Sequence, residues 1–250
     1  MKSQKSSTSI ELKANNQTFV LDQVILLILK IYARLFQRHC IVKGNINLPP
    51  GPKIIAINHT DGCDPLFLPL VLNEKPYFLL QDSLFTIPII GWLLRQSGQI
   101  PVYRGTEKAK EAFWQACELL RQGKTIVIFP EGKIVPAGQR IPAKTGAIRM
   151  ALETGAPIIP LAIYAHLEDL IAVQFNWRGS RRSGLLQLSG KSYMRFGTAW
   201  KPDIHPLNHD QSNVHALTDE LMNRIYELVS QIERETLCES RSSLNPIPQW

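Results

Sequence analysis

The fold is indicated most clearly by the stretch TIVIFPEG, residues 125–132. Five apolar or β-branched residues are followed at once by a proline, a carboxylate and a glycine, which is typical of a buried strand that ends at a turn. Gly123, just before this run, stands where the C-cap of a preceding helix is expected. A helix, a short connection and a fully apolar strand in this order indicate a sheet that is covered by helices.

The same alternation continues on both sides of this stretch. Four more apolar runs predict buried strands at residues 53–57, 76–80, 100–103 and 157–164. Helical patterns lie between the strands, near residues 65–73, 84–97, 107–122 and 144–154. A late hairpin is predicted at residues 185–199, and an amphipathic helix from Val214 to Ile232. We therefore expect one α/β domain with a mixed, mostly parallel sheet flanked by helices.

Length and composition agree with a single folded domain. The chain has 250 residues, of which 44% are hydrophobic and 20% are charged, and this excludes a mainly disordered chain. We expect the domain to cover residues 39–238. A disordered basic tail at residues 1–20 and an amphipathic, membrane-associating helix at 21–38 are expected before it, and a flexible tail at 239–250 after it.

Positive charge is concentrated at the N-terminal end. Residues 1–60 carry eight basic and two acidic side chains, whereas the remaining residues carry 20 and 19, so contact with an anionic surface is predicted. In the helix at 21–38, Lys30, Arg34 and Arg38 accompany an apolar face. This helix is expected to pack on the core or to lie in a membrane interface, and both hold if one edge packs while the other stays exposed.

Several features point to a cytoplasmic, peripherally membrane-associated protein. No signal peptide is visible, and the longest apolar run is too short and too interrupted by charge to span a bilayer. The four cysteines are scattered without a C-x-x-C pair, which argues against a disulfide framework or a structural zinc site and fits a reducing compartment.

Candidate chemistry begins directly after the first of the predicted strands, in the sequence INHTDGCDP at residues 57–65. His59 and Asp64 are five residues apart, so a turn can bring the carboxylate onto the imidazole and leave the second ring nitrogen free to accept a proton. Catalytic groups often lie at such carboxyl ends of strands. Asp64 could equally be only the N-cap of the next helix, so both interpretations stay open for the pair alone.

Two other strand ends carry charged residues. Glu131 and Gly132 follow the strand at 125–129, level with His59 if the strands are parallel. Arg104 follows the strand at 100–103, and its guanidinium suits bidentate phosphate binding. A loop carboxylate paired with a surface cation, or a solvated arginine, would look the same in the sequence.

Taken together and in this order, these stretches resemble the glycerolipid acyltransferase family, whose best-known members make phosphatidic acid from 1-acyl-glycerol-3-phosphate. Four blocks carry the resemblance: His59-x4-Asp64, Gly98–Arg104, Phe129–Gly132 and Pro157–Ile163. Lys144 belongs to a Lys-x-Gly segment that also looks like one of the family. The resemblance covers roughly residues 25–205 and implies a glycerol-3-phosphate acyltransferase-like fold.

The resemblance implies transfer of an acyl group from a thioester of coenzyme A or acyl carrier protein to the hydroxyl of a lysophospholipid. His59 would be the general base and Asp64 its orienting partner. The implied substrate-binding residues are Arg104, on the acceptor phosphate, Glu131, on hydroxyls or a neighbouring cation, and Gly132, Lys133 and Lys144. Neither a metal nor a resident cofactor is implied.

Two departures from the family pattern concern the acceptor. The family usually continues F-P-E-G with threonine and arginine, but this chain has Lys133 and Ile134, and Tyr103 stands where an aspartate is common. Either Lys133 replaces the arginine, or the acceptor is another lysophospholipid or an unusual lipid hydroxyl or amine.

Other function classes are less favoured. Cys63, between His59 and Asp64, would suit a thioester hydrolase, and the basic front end would suit a non-catalytic membrane-binding module. Nucleic-acid binding is not expected, because the tryptophans are not interleaved with basic clusters. The basic cluster at residues 177–182 is either a solvated loop or a docking site for an acidic carrier protein or lipid headgroups.

Overall fold

The computed structural model describes residues 20–36, 38–62, 64–136, 138–177, 180–202 and 211–244. The basic tail predicted at 1–20 lies outside these ranges except for Val20, which belongs to the first helix.

Seven strands form one sheet in the order β1-β9-β6-β2-β5-β3-β4. Their bounds are β1 Arg38–Val42, β2 Lys53–Ile57, β3 Pro76–Gln81, β4 Ile100–Val102, β5 Thr125–Ile128, β6 Ile158–Ala165 and β9 Gly190–Phe196. Neighbouring strands pair in parallel except β6 and β9, which are antiparallel. The predicted single α/β domain with a mixed, mostly parallel sheet is confirmed.

Six α-helices are described in these ranges: α1 at 20–35, α2 Asp64–Val71, α3 Ile90–Gln96, α4 Lys108–Arg121, α5 Gly146–Thr154 and α6 Gln211–Leu244. The single helix predicted at 84–97 is split into a 3-10 helix, Asp82–Thr86, and α3. Pro88 lies between them and lacks the N–H that a helix interior requires.

Helices cover both faces of the sheet, and this explains why its central strands are almost entirely apolar. Successive side chains of a strand point to opposite faces. In β2, Ile54 and Ala56 pack with buried residues of α4, α5 and α6, whereas Ile55 and Ile57 pack with α2 and with Tyr32 of α1. A strand that is buried on both faces reads as a continuous hydrophobic run.

Helix α1 packs on the domain with one side only. Tyr32 lies against Phe67 of α2, with ring centroids 6.3 Å apart, and Lys75 Nζ forms an ion pair with Asp22 Oδ2 at 2.8 Å. The other side exposes large apolar side chains: Val20, Val24, Leu27, Ile28, Ile31 and Leu35. Within the described ranges, no helix has both the length and the apolar character that crossing a membrane requires.

Three boundaries differ from the predictions. Arg38 begins β1, so the helix expected at 21–38 ends at residue 35. Strand β8, Ser180–Leu186, pairs antiparallel with β7, Ile171–Trp177, so the hairpin predicted at 185–199 is wrong. The tail expected at 239–250 is helical as far as Leu244, because α6 meets no proline or glycine before that residue.

Candidate active site

Three strands bring candidate residues to one edge of the sheet. His59 lies two residues after β2, Glu131 three residues after β5, and Arg104 two residues after β4. β2 pairs in parallel with β5, β5 with β3, and β3 with β4. The carboxyl ends of these strands therefore meet at the same edge, where open α/β sheets bind their ligands.

Asn58 anchors the loop that carries His59. Its side-chain amide donates to the carbonyl of Ile163 and its amide oxygen accepts the N–H of Ile163, both at 2.8 Å, so Asn58 closes the end of β2 onto β6. On the other side, the carbonyl of His59 accepts the N–H of Val135 at 2.8 Å. The sequence prediction missed Asn58, although a polar residue directly after a fully buried strand is a usable signal.

The imidazole of His59 is half-buried and stacks on Phe129. The two ring centroids are 4.3 Å apart and the planes are tilted by 33°. The backbone N–H of His59 donates to Glu131 Oε2 at 2.7 Å. The histidine is therefore held by its backbone N–H and by the contact of its half-buried ring with Phe129.

The carboxylate of Glu131 is buried, with 4% of the residue exposed. Its second oxygen, Oε1, accepts the hydroxyl of Tyr226 on α6 at 2.8 Å. Burial, the hydrogen bond to Glu131 and the charge of Glu131 together raise the pKa of the Tyr226 phenol, so it stays protonated and acts as the donor. Glu131 was predicted to contact substrate hydroxyls or a cation. Its carboxylate also makes two contacts within the protein, with the His59 N–H and the Tyr226 hydroxyl, which the sequence did not indicate.

A cavity of about 780 Å³ opens beside Glu131. All the predicted substrate-binding residues line it: Arg104, Glu131, Gly132, Lys133 and Lys144. Gly105 and four apolar residues complete the described wall: Val102, Ala109, Ile141 and Pro142. Three cations and one carboxylate make the lining net positive, which favours an anionic ligand.

The turn at Gly132 brings two of these cations together. Its φ is +70°, a left-handed conformation that glycine adopts without strain. A Cβ at this position would lie 3.7 Å from Nη2 of Arg104 and 3.8 Å from Cγ of Lys144. The backbone at Gly132 therefore forms a floor between the arginine and the lysine.

The side chain of Ile134 makes apolar contacts and points toward β8. Its Cδ1 atom lies 3.8 Å and 4.0 Å from the positions that a Cβ would take on Gly184 and Gly62. The N–H of Gly62 donates to the carbonyl of Leu185 at 2.8 Å, and a Cβ on Gly62 would come within 2.7 Å of Leu186 Cδ2. Strand β8 is thus closely packed over the loop that follows His59.

The remaining predicted residues are only partly described. Asp64 is the first residue of α2, but its side chain lies outside the described structure, as do Cys63 and the side chains of Arg181 and Arg182. The contact between Asp64 and His59 therefore stays a prediction. Among the described residues, no group of three or more His, Cys, Asp or Glu side chains could hold a metal ion.

Several known proteins are similar to this chain. A 1-acyl-sn-glycerol-3-phosphate acyltransferase of Borreliella burgdorferi is 35% identical over 126 residues, 50% of this chain and 50% of the relative. A lyso-ornithine lipid O-acyltransferase of Rhodobacter capsulatus is 31% identical over 91 residues, 36% of this chain and 32% of the relative. The crystal structure of the acyltransferase PlsC from Thermotoga maritima has the same fold, with a TM-score of 0.59, 22% identity and 88% of each chain covered.

The curated relatives are longer than the segment they share with this chain. The chain spans between 32% and 50% of the length of seven of them. Residues 39–164, slightly more than half of the chain, match the family model described as Acyltransferase. This segment contains His59 and its loop, the strand ends that carry Arg104 and Glu131, and the cations of the cavity. The chain therefore belongs to the Acyltransferase family.

Proposed function

We propose that the protein transfers a fatty acyl group from a thioester to the hydroxyl of a lysophospholipid, with 1-acyl-glycerol-3-phosphate as the preferred acceptor. One observation supports this most directly: a cavity lined by Arg104, Lys133 and Lys144 opens beside Glu131, whose carboxylate holds the backbone of His59. Such a cavity suits a phosphate headgroup, because charge-assisted hydrogen bonds from arginine and lysine are the usual phosphate ligands in proteins.

The proposed reaction needs a base at the acceptor hydroxyl. His59 removes the hydroxyl proton as the oxygen attacks the thioester carbonyl, the new C–O bond forms, and the C–S bond breaks. The leaving thiolate takes the proton from the imidazolium, so His59 ends neutral. Base catalysis of this kind contributes about 10²–10⁴-fold in rate, and Asp64 is proposed to orient the ring.

The acyl carrier is proposed to be a substrate and not a resident cofactor. Coenzyme A and acyl carrier protein both present an acyl thioester, and either satisfies the reaction. An acidic carrier protein would be attracted by the basic cluster at residues 177–182.

A different acceptor is the second candidate. The position of the family arginine is taken by Ile134, which packs toward Gly62 and Gly184. The cavity therefore has Lys133 where a bidentate guanidinium is usual, and a lysine is a less selective point charge. The name of the Rhodobacter capsulatus relative shows that an acceptor other than 1-acyl-glycerol-3-phosphate occurs among the similar proteins.

Peripheral membrane association is part of the proposal. The exposed apolar side of α1, with Lys30 and Arg34 beside it, supports an interfacial position in which apolar groups enter the lipid boundary and cations meet anionic headgroups. Both predicted interpretations of this helix then apply, since its other side packs on α2.

The decisive experiment is a transfer assay with the purified full-length protein. The acceptors are 1-acyl-glycerol-3-phosphate, a zwitterionic lysophospholipid and a lyso-ornithine lipid, each with acyl-coenzyme A and acyl carrier protein as donors. We expect His59→Ala to lose at least about 100-fold in turnover without a change in melting temperature, whereas Cys63→Ser stays active. Near-normal turnover in a folded His59→Ala protein, or hydrolysis without transfer in the wild type, would contradict the proposal.

A further inference from the structure

We infer that Tyr226 is a positioning residue for acyl transfer: it fixes the buried carboxylate of Glu131, which in turn fixes the backbone of His59. The role rests on the proposed function for its catalytic meaning. Tyr226 lies beyond residues 39–164, so no block of the family pattern points to it.

The inference rests on two hydrogen bonds that connect Tyr226 to His59 through Glu131. The Tyr226 hydroxyl donates to Glu131 Oε1 at 2.8 Å, and the His59 N–H donates to Glu131 Oε2 at 2.7 Å. Each carboxylate oxygen therefore has its own donor, and the carboxyl plane is set from two sides. Because only 4% of Glu131 is exposed, water cannot easily replace either donor.

The tyrosine itself is held by the rest of the fold. Leu221, Met222 and Ile225, which precede it on α6, are buried in the core against the sheet. The guanidinium of Arg140 lies over the Tyr226 ring, 4.5 Å from its centroid. Because α6 is packed on the sheet and Arg140 covers the Tyr226 ring, the hydroxyl has little conformational freedom. Tyr226 can therefore hold the Glu131 carboxylate in place.

The groups around Tyr226 also determine the direction of its hydrogen bond with Glu131. Glu131 and Arg140 are the charged groups that face the phenol, and burial and the neighbouring carboxylate raise its pKa while Arg140 lowers it. The phenol is therefore protonated throughout the working pH range and always donates its hydrogen bond to the Glu131 carboxylate.

Loss of the Tyr226 hydroxyl is expected to lower kcat and to leave substrate binding nearly unchanged. Without it, the carboxylate can rotate, and the His59 backbone loses its alignment with the acceptor hydroxyl. A misplacement of about 1 Å can cost about 100-fold in rate. We expect Tyr226→Phe to lower kcat by about 10- to 100-fold, with both KM values changed by less than about threefold.

The test compares Tyr226→Phe with Tyr77→Phe, a matched control in which a half-buried tyrosine near the amino end of β3 loses the same hydroxyl. Both are assayed well below their melting temperatures, and kcat is expressed per folded molecule. A fall in kcat for Tyr226→Phe alone supports the role. An unchanged kcat, or a loss that appears only in KM or in melting temperature, overturns it.

A double-mutant cycle tests whether Tyr226 acts through Glu131. If it does, Glu131→Gln combined with Tyr226→Phe is no slower than Glu131→Gln alone, whereas multiplied losses would show an independent effect and overturn the inference. If Tyr226→Phe does not fold, a fluorinated tyrosine at position 226 keeps the shape and acidifies the phenol. Its kcat should then fall in alkaline buffer, where the kcat of the wild type stays level, and level profiles for both proteins would refute the role.

Amide hydrogen exchange separates this inference from the proposed function. The His59 N–H is expected to exchange at least about tenfold faster in Tyr226→Phe than in the wild type, since its acceptor is less well held. This result would support the positioning contact even if no acyl transfer were found with any acceptor, in which case the proposed function alone would fail. Equal exchange rates would overturn the inference whatever the activity.

Discussion

Arg104→Ala gives the sharpest test of the cavity as a phosphate site. Arg104 and Lys144 flank Gly132, with the guanidinium 3.7 Å from the position that a Cβ would take there. The side chain is exposed, so its interaction with a phosphate is screened by water.

The expected magnitude follows from this exposure. Two unit charges 4 Å apart in water contribute about 1 kcal/mol, and charge-assisted hydrogen bonds about 1.5–3 kcal/mol. An exposed guanidinium should give the lower part of this range, about 1–2 kcal/mol, which corresponds to a rise of about 5- to 30-fold in the acceptor KM. Lys133→Ala and Lys144→Ala each remove a point charge and should raise it by about fivefold.

The assay varies the acceptor at saturating donor, and then the donor at saturating acceptor. The acceptor KM for 1-acyl-glycerol-3-phosphate should rise in Arg104→Ala, and the rise should shrink as salt is increased. Arg121→Ala is the matched control: Arg121 is an exposed arginine at the end of α4 that pairs with Glu153 at 2.7 Å and does not line the cavity.

Two results would refute the reasoning about Arg104. An acceptor KM within twofold of the wild-type value would mean that the Arg104 guanidinium does not contact the headgroup of the acceptor. A rise confined to the donor KM would assign the cavity to the phosphates of the donor.

Two further predictions concern the position of the missing family arginine and the membrane surface. Ile134→Arg should lower the free energy of unfolding by about 1–3 kcal/mol, measured by denaturant melting, because the charge would enter the contact with Gly62 and Gly184; a stable variant with tighter phosphate preference would contradict this. Leu27→Glu combined with Ile31→Glu should weaken flotation with anionic vesicles without lowering the melting temperature, since both side chains are exposed on α1; unchanged flotation would exclude this face as the membrane contact.

Local pattern was sufficient to predict the central sheet and the candidate residues at its edge. Apart from Lys53, the runs at 53–57 and 125–128 consist of apolar or β-branched residues, and only a strand covered on both faces accounts for such short runs between helical patterns. His59, Arg104 and Glu131 follow three of these strands directly, so their common edge could be predicted once the strands were taken as parallel.

Features that depend on distant partners could not be predicted in this way. Strand β9 carries the same local signals whichever strand it pairs with, and only the packed fold selects β1 and β6 instead of β8. Likewise, the family pattern gives the position of Glu131 but not its partner Tyr226, which lies 95 residues later on a helix with an ordinary amphipathic repeat. A short motif determines its own backbone geometry, since its constraints are local. The donors that meet a buried carboxylate depend on how whole helices pack against the sheet, and that is decided only when the chain is folded.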